Sequence, residues 1–536
     1  MSNPVWSAPT RRPLPIVLVR GFGGTNTVDE RKMTYQGFND GSVYPQKRGE
    51  NYIYEGLILR FMKSHWRYQD TTNVIGYYAN NLSASPLIPK ELKAFDPSFF
   101  QGKIIIDPAM ALRLLQSDDD PCHSLWVFRY YDLCDREFSK YGEALVRLID
   151  FIRALAEVKH GIKPKVNIIA HSMGGLIVRE AIQRTYPNRS VTAADEAINK
   201  VVTLGTPHKG VSFQVLRDLH WLGIESADEF EHFNPDNQAD PDNRAGYKNF
   251  AQCFPLDRLL TVVGTNYKAY DNSAATALNR MFSVAGEFGA SYNRSDGLVK
   301  QDFAQIPGAP RTFVHKPHGG FDSLISARES FEVAARFFFG NVRVRLRQVK
   351  AEIKRGFDLF GKSEFFLGVS VKPRAVDFEL FHQSKEAENC YGPFRTGDFS
   401  DTQLSFGWAD DRKLIWEGFL DRAASSTSTD LVMRIEFYVG ERDLFGLGFS
   451  DNIVFTKQYY VRAILEPTLQ LYLYTGEEFT PKKRDDSLKI SDDPQQSSDD
   501  LLEKATPMQR VDDGWEFEVS GTGFVGKYRI ELDLIP

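Results

Sequence analysis

An α/β domain with a mainly parallel sheet, followed by an all-β sandwich, is the architecture this sequence predicts, and three observations carry it. First, PIVLV (15–19), SLWVFRY (124–130), KVNIIA (165–170), KVVTLG (200–205) and RLLTVVG (258–264) are apolar at nearly every position. Strands covered on both faces read this way, and such strands belong to parallel sheets. Second, helical patterns lie between them: in FSKYGEALVRLIDFIRALAEVKHG (138–161), Leu145, Leu148, Ile149, Ile152 and Leu155 recur at helical spacing. Gly161 stands where such a helix can end. Third, after Gly340 the period becomes two: NVRVRLRQV puts Val342, Val344 and Leu346 on one face and arginines on the other. FFLGVSVKP, LVMRIEFYV, TLQLYLYTG, GWEFEVSG and KYRIELDLI continue the alternation, so residues 341–536 read as an antiparallel sandwich and 1–340 as the α/β domain.

Two insertions, about 25–123 and 211–292, interrupt the strand–helix rhythm with aromatic stretches such as NYIYEGLILRFMKSHW and with NPDNQADPDN. Insertions of this length often form binding loops, so both are expected to cap the site. The acidic stretch lacks calcium-loop spacing and reads as a solvated loop. The run 482–504 is polar and reads as a surface loop inside the sandwich.

The 536 residues carry a formal charge of −6, with no cluster of Lys and Arg, so nucleic-acid binding is not expected. No apolar run has signal-peptide or membrane-spanning character, which points to a cytoplasmic protein or one exported without a cleaved signal. Cys122, Cys134, Cys253 and Cys390 lack metal-ligand or disulfide spacing and suit reduced thiols. Neither cofactor nor metal is expected.

The chemistry concentrates in VNIIAHSMGGLIVRE (166–180), where a buried strand passes through Ser172 into a helix. A nucleophile on so tight a bend needs small neighbours, supplied by Ala170, Gly174 and Gly175, and the helix start favours developing negative charge. The competing role for such a serine is a helix N-cap. In VLVRGFGG (17–24) another strand enters a glycine-rich turn, and the N–H groups of Phe22 and Met173 would form an oxyanion hole. A phosphate loop there would need glycine and lysine spacing that is missing. In the chain order Ser, acid, His, the acid is Asp296 in NRSDGLVKQ, with Asp271 and Asp302 as rivals, and the base is His318 in TFVHKPHGGFDSL, preferred to His315 beside the strand. Gly21, Gly23, His171 and His208 are the substrate-side candidates. His171, though, is expected to project away from the pocket in a packing or capping role.

Taken in order, VLVRGFGG, AHSMGG, LGTPHKG, SDGLV and HGG resemble the lipase and esterase branch of the α/β-hydrolase family, in the style of bacterial lipases with an Ala-His-Ser-Met-Gly elbow. The resemblance covers about 13–340. It implies an α/β-hydrolase domain with large cap insertions in which Ser172, Asp296 and His318 are nucleophile, acid and base, with Phe22 and Met173 as oxyanion donors. The sequence departs from it at Arg20, where the family has His, and at Ala170, where it more often has Gly. The expected function is hydrolysis of carboxylic esters of lipid-like substrates through an acyl-enzyme. The alternatives are a phospholipase or acyltransferase with the same triad, or an inactive hydrolase fold that binds a partner. The expected partners are a lipid or small ester and peripheral contact with a lipid interface. The sandwich is expected to be dispensable for hydrolysis of small esters and to hold aggregated lipid or a partner.

Overall fold

The computed structural model of the chain describes residues 13–21, 38, 56–71, 88–102, 105–128, 137–189, 192–209, 246–269, 294–320, 322–353, 364–374, 376, 378–384, 386–394, 413–422, 430–442, 452–465, 467–475 and 506–535. The chain divides into two compact units, 1–311 with 315–334, and 312–314 with 335–536.

The first is built on a sheet of β1 (Ile16–Arg20), β2 (Gln69–Asp70), β3 (Ser124–Val127), β4 (Val166–His171), β5 (Ile198–Leu204), β6 (Leu259–Gly264) and β7 (Arg311–Val314), in the order β2-β3-β1-β4-β5-β6-β7. The pairs from β2 to β6 run parallel. β1, β3, β4 and β6 are buried at almost every position, which is why their sequences are apolar without alternation. Helix α1 (Leu57–Lys63) follows β1, α2 (Pro108–Gln116) precedes β3, α3 (Phe138–His160) precedes β4, and α4 (Gly174–Glu180) follows it. In α3 the five apolar residues read from the sequence are buried. The helix ends at Gly161, whose φ of 68° is left-handed and whose N–H donates to Glu157 O at 2.8 Å.

Part of the first insertion packs into the α/β core. Leu92, Phe95, Phe99, Phe100 and Met110 join the same core as α3 and β4, and Phe95 stacks on Phe151 at 5.7 Å. Aromatic side chains bury too much apolar surface to remain on a free-standing loop when a helix face beside them can take it. The remaining parts of both insertions lie mainly outside the described residues, as does the polar run 482–504.

The second unit holds two antiparallel sheets. One contains β9 (Glu364–Pro373), β10 (Phe381–His382), β11 (Tyr391–Phe394), β13 (Asp430–Arg442), β14 (Asn452–Ile464), β15 (Gln470–Thr475) and β16 (Thr506–Pro507). The other contains β8 (Val342–Ile353), β12 (Leu414–Leu420), β17 (Gln509–Val511), β18 (Gly514–Gly521) and β19 (Phe524–Leu534). Their inner faces meet where Phe437 of β13 lies 4.4 Å from Tyr528 of β19, and Phe455 of β14 lies 5.2 Å from Phe524 of β19. The alternation in β8 has a physical basis on both sides. Val342, Val344 and Leu346 are buried. Arg343 pairs with Glu417 of β12 at 2.5 Å, and Arg345 and Arg347 both pair with Glu531 of β19 at 2.7 Å.

The division between the units is not a single cut near residue 340. Thr312 Oγ1 donates to Leu380 O at 2.7 Å and Phe313 packs on Phe381 at 5.6 Å, so residues of β7 belong with the sandwich. Removing everything after Gly340 would strip these partners from Thr312 and Phe313.

Candidate active site

The described loops at the carboxyl ends of β1, β4, β5, β6 and β7 converge, which is where an open α/β sheet places its ligand. Ser172 directly follows β4 with φ at +54°, a left-handed conformation for a residue with a Cβ, at a cost of about 1–3 kcal/mol. Its N–H donates to Leu204 O at 2.9 Å, and Gly21 N–H donates to His171 O at 2.9 Å, so β5 and β1 hold the turn from both sides. The small neighbours are there because the chains are crowded. A Cβ on Gly21 would lie 2.7 Å from Met173 N, one on Gly174 would run into the Val19 carbonyl, and one on Gly175 into Thr206. The N-cap of α4 is Met173, without a side-chain capping bond. The Ser172 hydroxyl instead lies 2.9 Å from His318 Nε2.

His318 follows β7 and is almost fully buried, as is Asp296 after β6. His318 Nδ1 lies 2.8 Å from Asp296 Oδ2. A carboxylate only accepts, so the proton sits on Nδ1 and leaves Nε2 to accept from Ser172. Asp296 is fixed in turn: Oδ1 accepts from Leu298 N–H at 3.0 Å and Val299 N–H at 2.7 Å. Its carbonyl accepts from His318 N–H at 2.9 Å.

The other sequence candidates lie elsewhere or outside the described residues. His315 is exposed at the end of β7, with Nδ1 3.0 Å from Thr265 Oγ1. The Asp302 carboxylate is 51% exposed and pairs with Lys209 at 2.7 Å. Asp271, Phe22 and Gly23 lie outside the described residues. Gly21 and Met173 adjoin the serine turn. His171 and His208 are buried: His208 Nε2 is 3.0 Å from Thr203 Oγ1, and Arg179 Nη1 donates to the His208 carbonyl at 2.7 Å.

Two residues of the site were missed in the sequence. Gly205 directly follows β5 with φ at +57°, and a Cβ there would sit 2.8 Å from Asp296 Oδ2 and 3.2 Å from His318 Nδ1. Gly264 ends β6, and a Cβ there would sit 2.6 Å from Asp296 Cβ. Both leave room for the Asp–His pair, and a glycine closing a strand otherwise reads only as a turn. Gly205→Ala is therefore expected to displace the pair and lower kcat by about 100-fold. It should also destabilise the fold by about 1–3 kcal/mol. Steady-state kinetics with urea unfolding checks both.

Burial holds the imidazoles of His171 and His208 well below their ordinary range, and neighbouring positive groups push the same way, His318 and Arg20 on the first and Arg179 on the second. Burial likewise brings the Arg179 guanidinium down to about 9, with Glu180 opposing. A histidine kept neutral when folded binds fewer protons than when unfolded, so stability falls as pH drops through the unfolded value near 6.5. Each group contributes a slope of up to about 1.4 kcal/mol per pH unit below that value. Urea unfolding between pH 7.5 and 5.5 should show the decline, and His208→Gln should flatten it by one proton's share. An unchanged slope in that variant would contradict the assignment.

Among the described residues no group of His, Cys, Asp and Glu is placed to hold a metal ion. No helix among them is long and apolar enough to cross a membrane.

The sheet order, the strained turn after β4 and the helices around the sheet define an α/β-hydrolase fold. Residues 135–229, which contain α3, β4 and the serine turn, match the family described as PGAP1-like alpha/beta domain. Among solved structures, the chain is similar to Bacillus licheniformis lipase BlEst2 in mature form, at 18% identity over 42% of this chain and 86% of that one, with a TM-score of 0.28. It is also similar to phospholipase PlaB from Legionella pneumophila, at 11% identity over 80% and 89% with a TM-score of 0.32. Aspergillus fumigatus lipase B matches at 12% identity over 62% and 54%, with a TM-score of 0.25. No curated protein sequence matches the chain.

Proposed function

We propose that the chain is a serine hydrolase that cleaves carboxylic esters of lipid-like substrates through an acyl-enzyme on Ser172. The observation that carries this reading is the unbroken relay from the Ser172 hydroxyl through His318 to Asp296, at 2.9 and 2.8 Å, on a serine held at positive φ. Ser172 Oγ attacks the ester carbonyl carbon while its proton passes to His318 Nε2. Asp296 holds the imidazole in the Nδ1–H form and stabilises the imidazolium. The carbonyl oxygen of the tetrahedral intermediate takes its charge against the Met173 N–H, with Phe22 as the second donor. As the intermediate collapses, His318 gives its proton to the departing alkoxide, and water then repeats the cycle on the acyl-enzyme.

The fluorophosphonate reaction tests the nucleophile, and a chain-length series of esters defines the acyl pocket. Product analysis on phospholipid and neutral ester distinguishes a phospholipase from a neutral lipase, and an acyl acceptor other than water reveals an acyltransferase. Absence of labelling together with absence of turnover on every ester would favour the binding-protein reading. Asp296→Asn is expected to lower kcat by about 10⁴-fold while the fold persists, because the amide no longer selects the Nδ1–H tautomer. Near-normal turnover in that variant would move the acid elsewhere.

A further inference from the structure

We propose that His171 is a positioning residue for the base: it fixes the main chain of His318 and thereby the alignment of the His318 ring with Ser172. This inference rests on the reading of Ser172 and His318 as nucleophile and base. His171 Nε2 lies 2.7 Å from the His318 carbonyl oxygen, and both side chains are buried. A carbonyl only accepts, so Nε2 carries the proton, and Nδ1 is a bare lone pair with no partner among the described residues. The main chain of His318 is thus held at both polar groups: its N–H by the Asp296 carbonyl at 2.9 Å and its C=O by His171. With the ring held by Asp296 Oδ2, the base is located from three directions.

The location of His171 gives the contact its reach. It is the last residue of β4 and adjoins Ser172 in the chain, so one short segment carries the nucleophile and grips the segment bearing the base, 147 residues downstream. The two imidazole rings lie 4.9 Å apart and tilted by 42°. Burial keeps His171 neutral, so no like charge faces His318 when it becomes an imidazolium. The sequence suggested that His171 merely packs away from the pocket. The structure turns it toward the backbone of the proposed base.

The test compares two polar replacements in the full-length protein. His171→Gln can present an amide N–H near the Nε2 position, whereas His171→Asn is polar but too short to reach the carbonyl. His171→Asn is expected to lower kcat about 10- to 100-fold on a short soluble ester with KM unchanged, because a displacement of order 1 Å at the base has that effect. His171→Gln is expected to recover kcat to within a few-fold of wild type. Urea midpoints and circular dichroism are read alongside. Equal kcat in the two variants, or a change confined to KM, would overturn the proposal. So would failure of both to fold, because the role would then be general to the core. Ser172→Ala run in parallel keeps the two claims separate: fluorophosphonate labelling of that variant refutes the nucleophile itself, whatever the His171 variants do.

Discussion

Ser172→Ala is expected to abolish ester hydrolysis and fluorophosphonate labelling, with kcat falling about 10⁶-fold, because the serine and histidine of such a relay act as one unit. A residual rate above water can survive, since the Met173 N–H and the binding surface remain. The fold should persist, because among the described residues the Ser172 side chain bonds only to His318, and the turn is held by backbone bonds to Leu204 O and from Gly21 N–H. Circular dichroism and labelling on the same preparation distinguish a dead site from an unfolded one. Ser172→Gly adds a second readout. Glycine adopts the φ of +54° without steric penalty, so this variant should unfold at a higher urea concentration than Ser172→Ala, by about 1 kcal/mol. Equal midpoints would mean that the turn is not strained.

His318→Ala should match the loss in Ser172→Ala, again about 10⁶-fold in kcat, whereas His315→Ala should change it by less than about tenfold. The two histidines follow the same strand, but only His318 lies within hydrogen-bond distance of both Ser172 and Asp296. His315 is exposed and bonds to Thr265. Removing the His318 ring also leaves Asp296 Oδ2 buried without its partner, so the variant should lose stability as well, by about 1–3 kcal/mol. His315→Ala should not. If the losses in kcat were exchanged, the base would be His315 and the relay described here would not be the working one.

Much of the α/β unit was legible because strands covered on both faces have no room for polar alternation, as β4 and β6 illustrate. The same logic failed for β2, whose residues Gln69 and Asp70 lie at the sheet edge and carry no apolar signal. In the sandwich, period-two alternation revealed β8, but its partners could not be read, since Glu417 and Glu531 come from distant stretches of the chain. Ser172, Asp296 and His318 were singled out by residue type and chain order, and the structure brings their side chains within hydrogen-bond distance of one another. The features that bring them to that distance were not legible: the strand-end glycines at 205 and 264, the bond from His171 to the His318 carbonyl, and the backbone amides of Leu298 and Val299 on Asp296. Each depends on a contact across the sheet top between segments that are remote in sequence. The packing of the stretch from Leu92 to Met110 against α3 was not legible for a related reason: aromatic composition reports that a surface must be covered, without reporting what covers it.

The separation of Ser172 from His318, 146 residues of chain, has a consequence for biosynthesis. The serine leaves the ribosome well before its base exists, and Asp296 precedes that base by only 22 residues. A nascent chain can therefore form β4 and the strained turn, yet its hydroxyl remains an ordinary alcohol until the segment after β7 has emerged and docked. On the proposed mechanism, hydrolysis through Ser172 therefore cannot begin before His318 has been synthesised, and a product cut short before residue 318 would lack the relay.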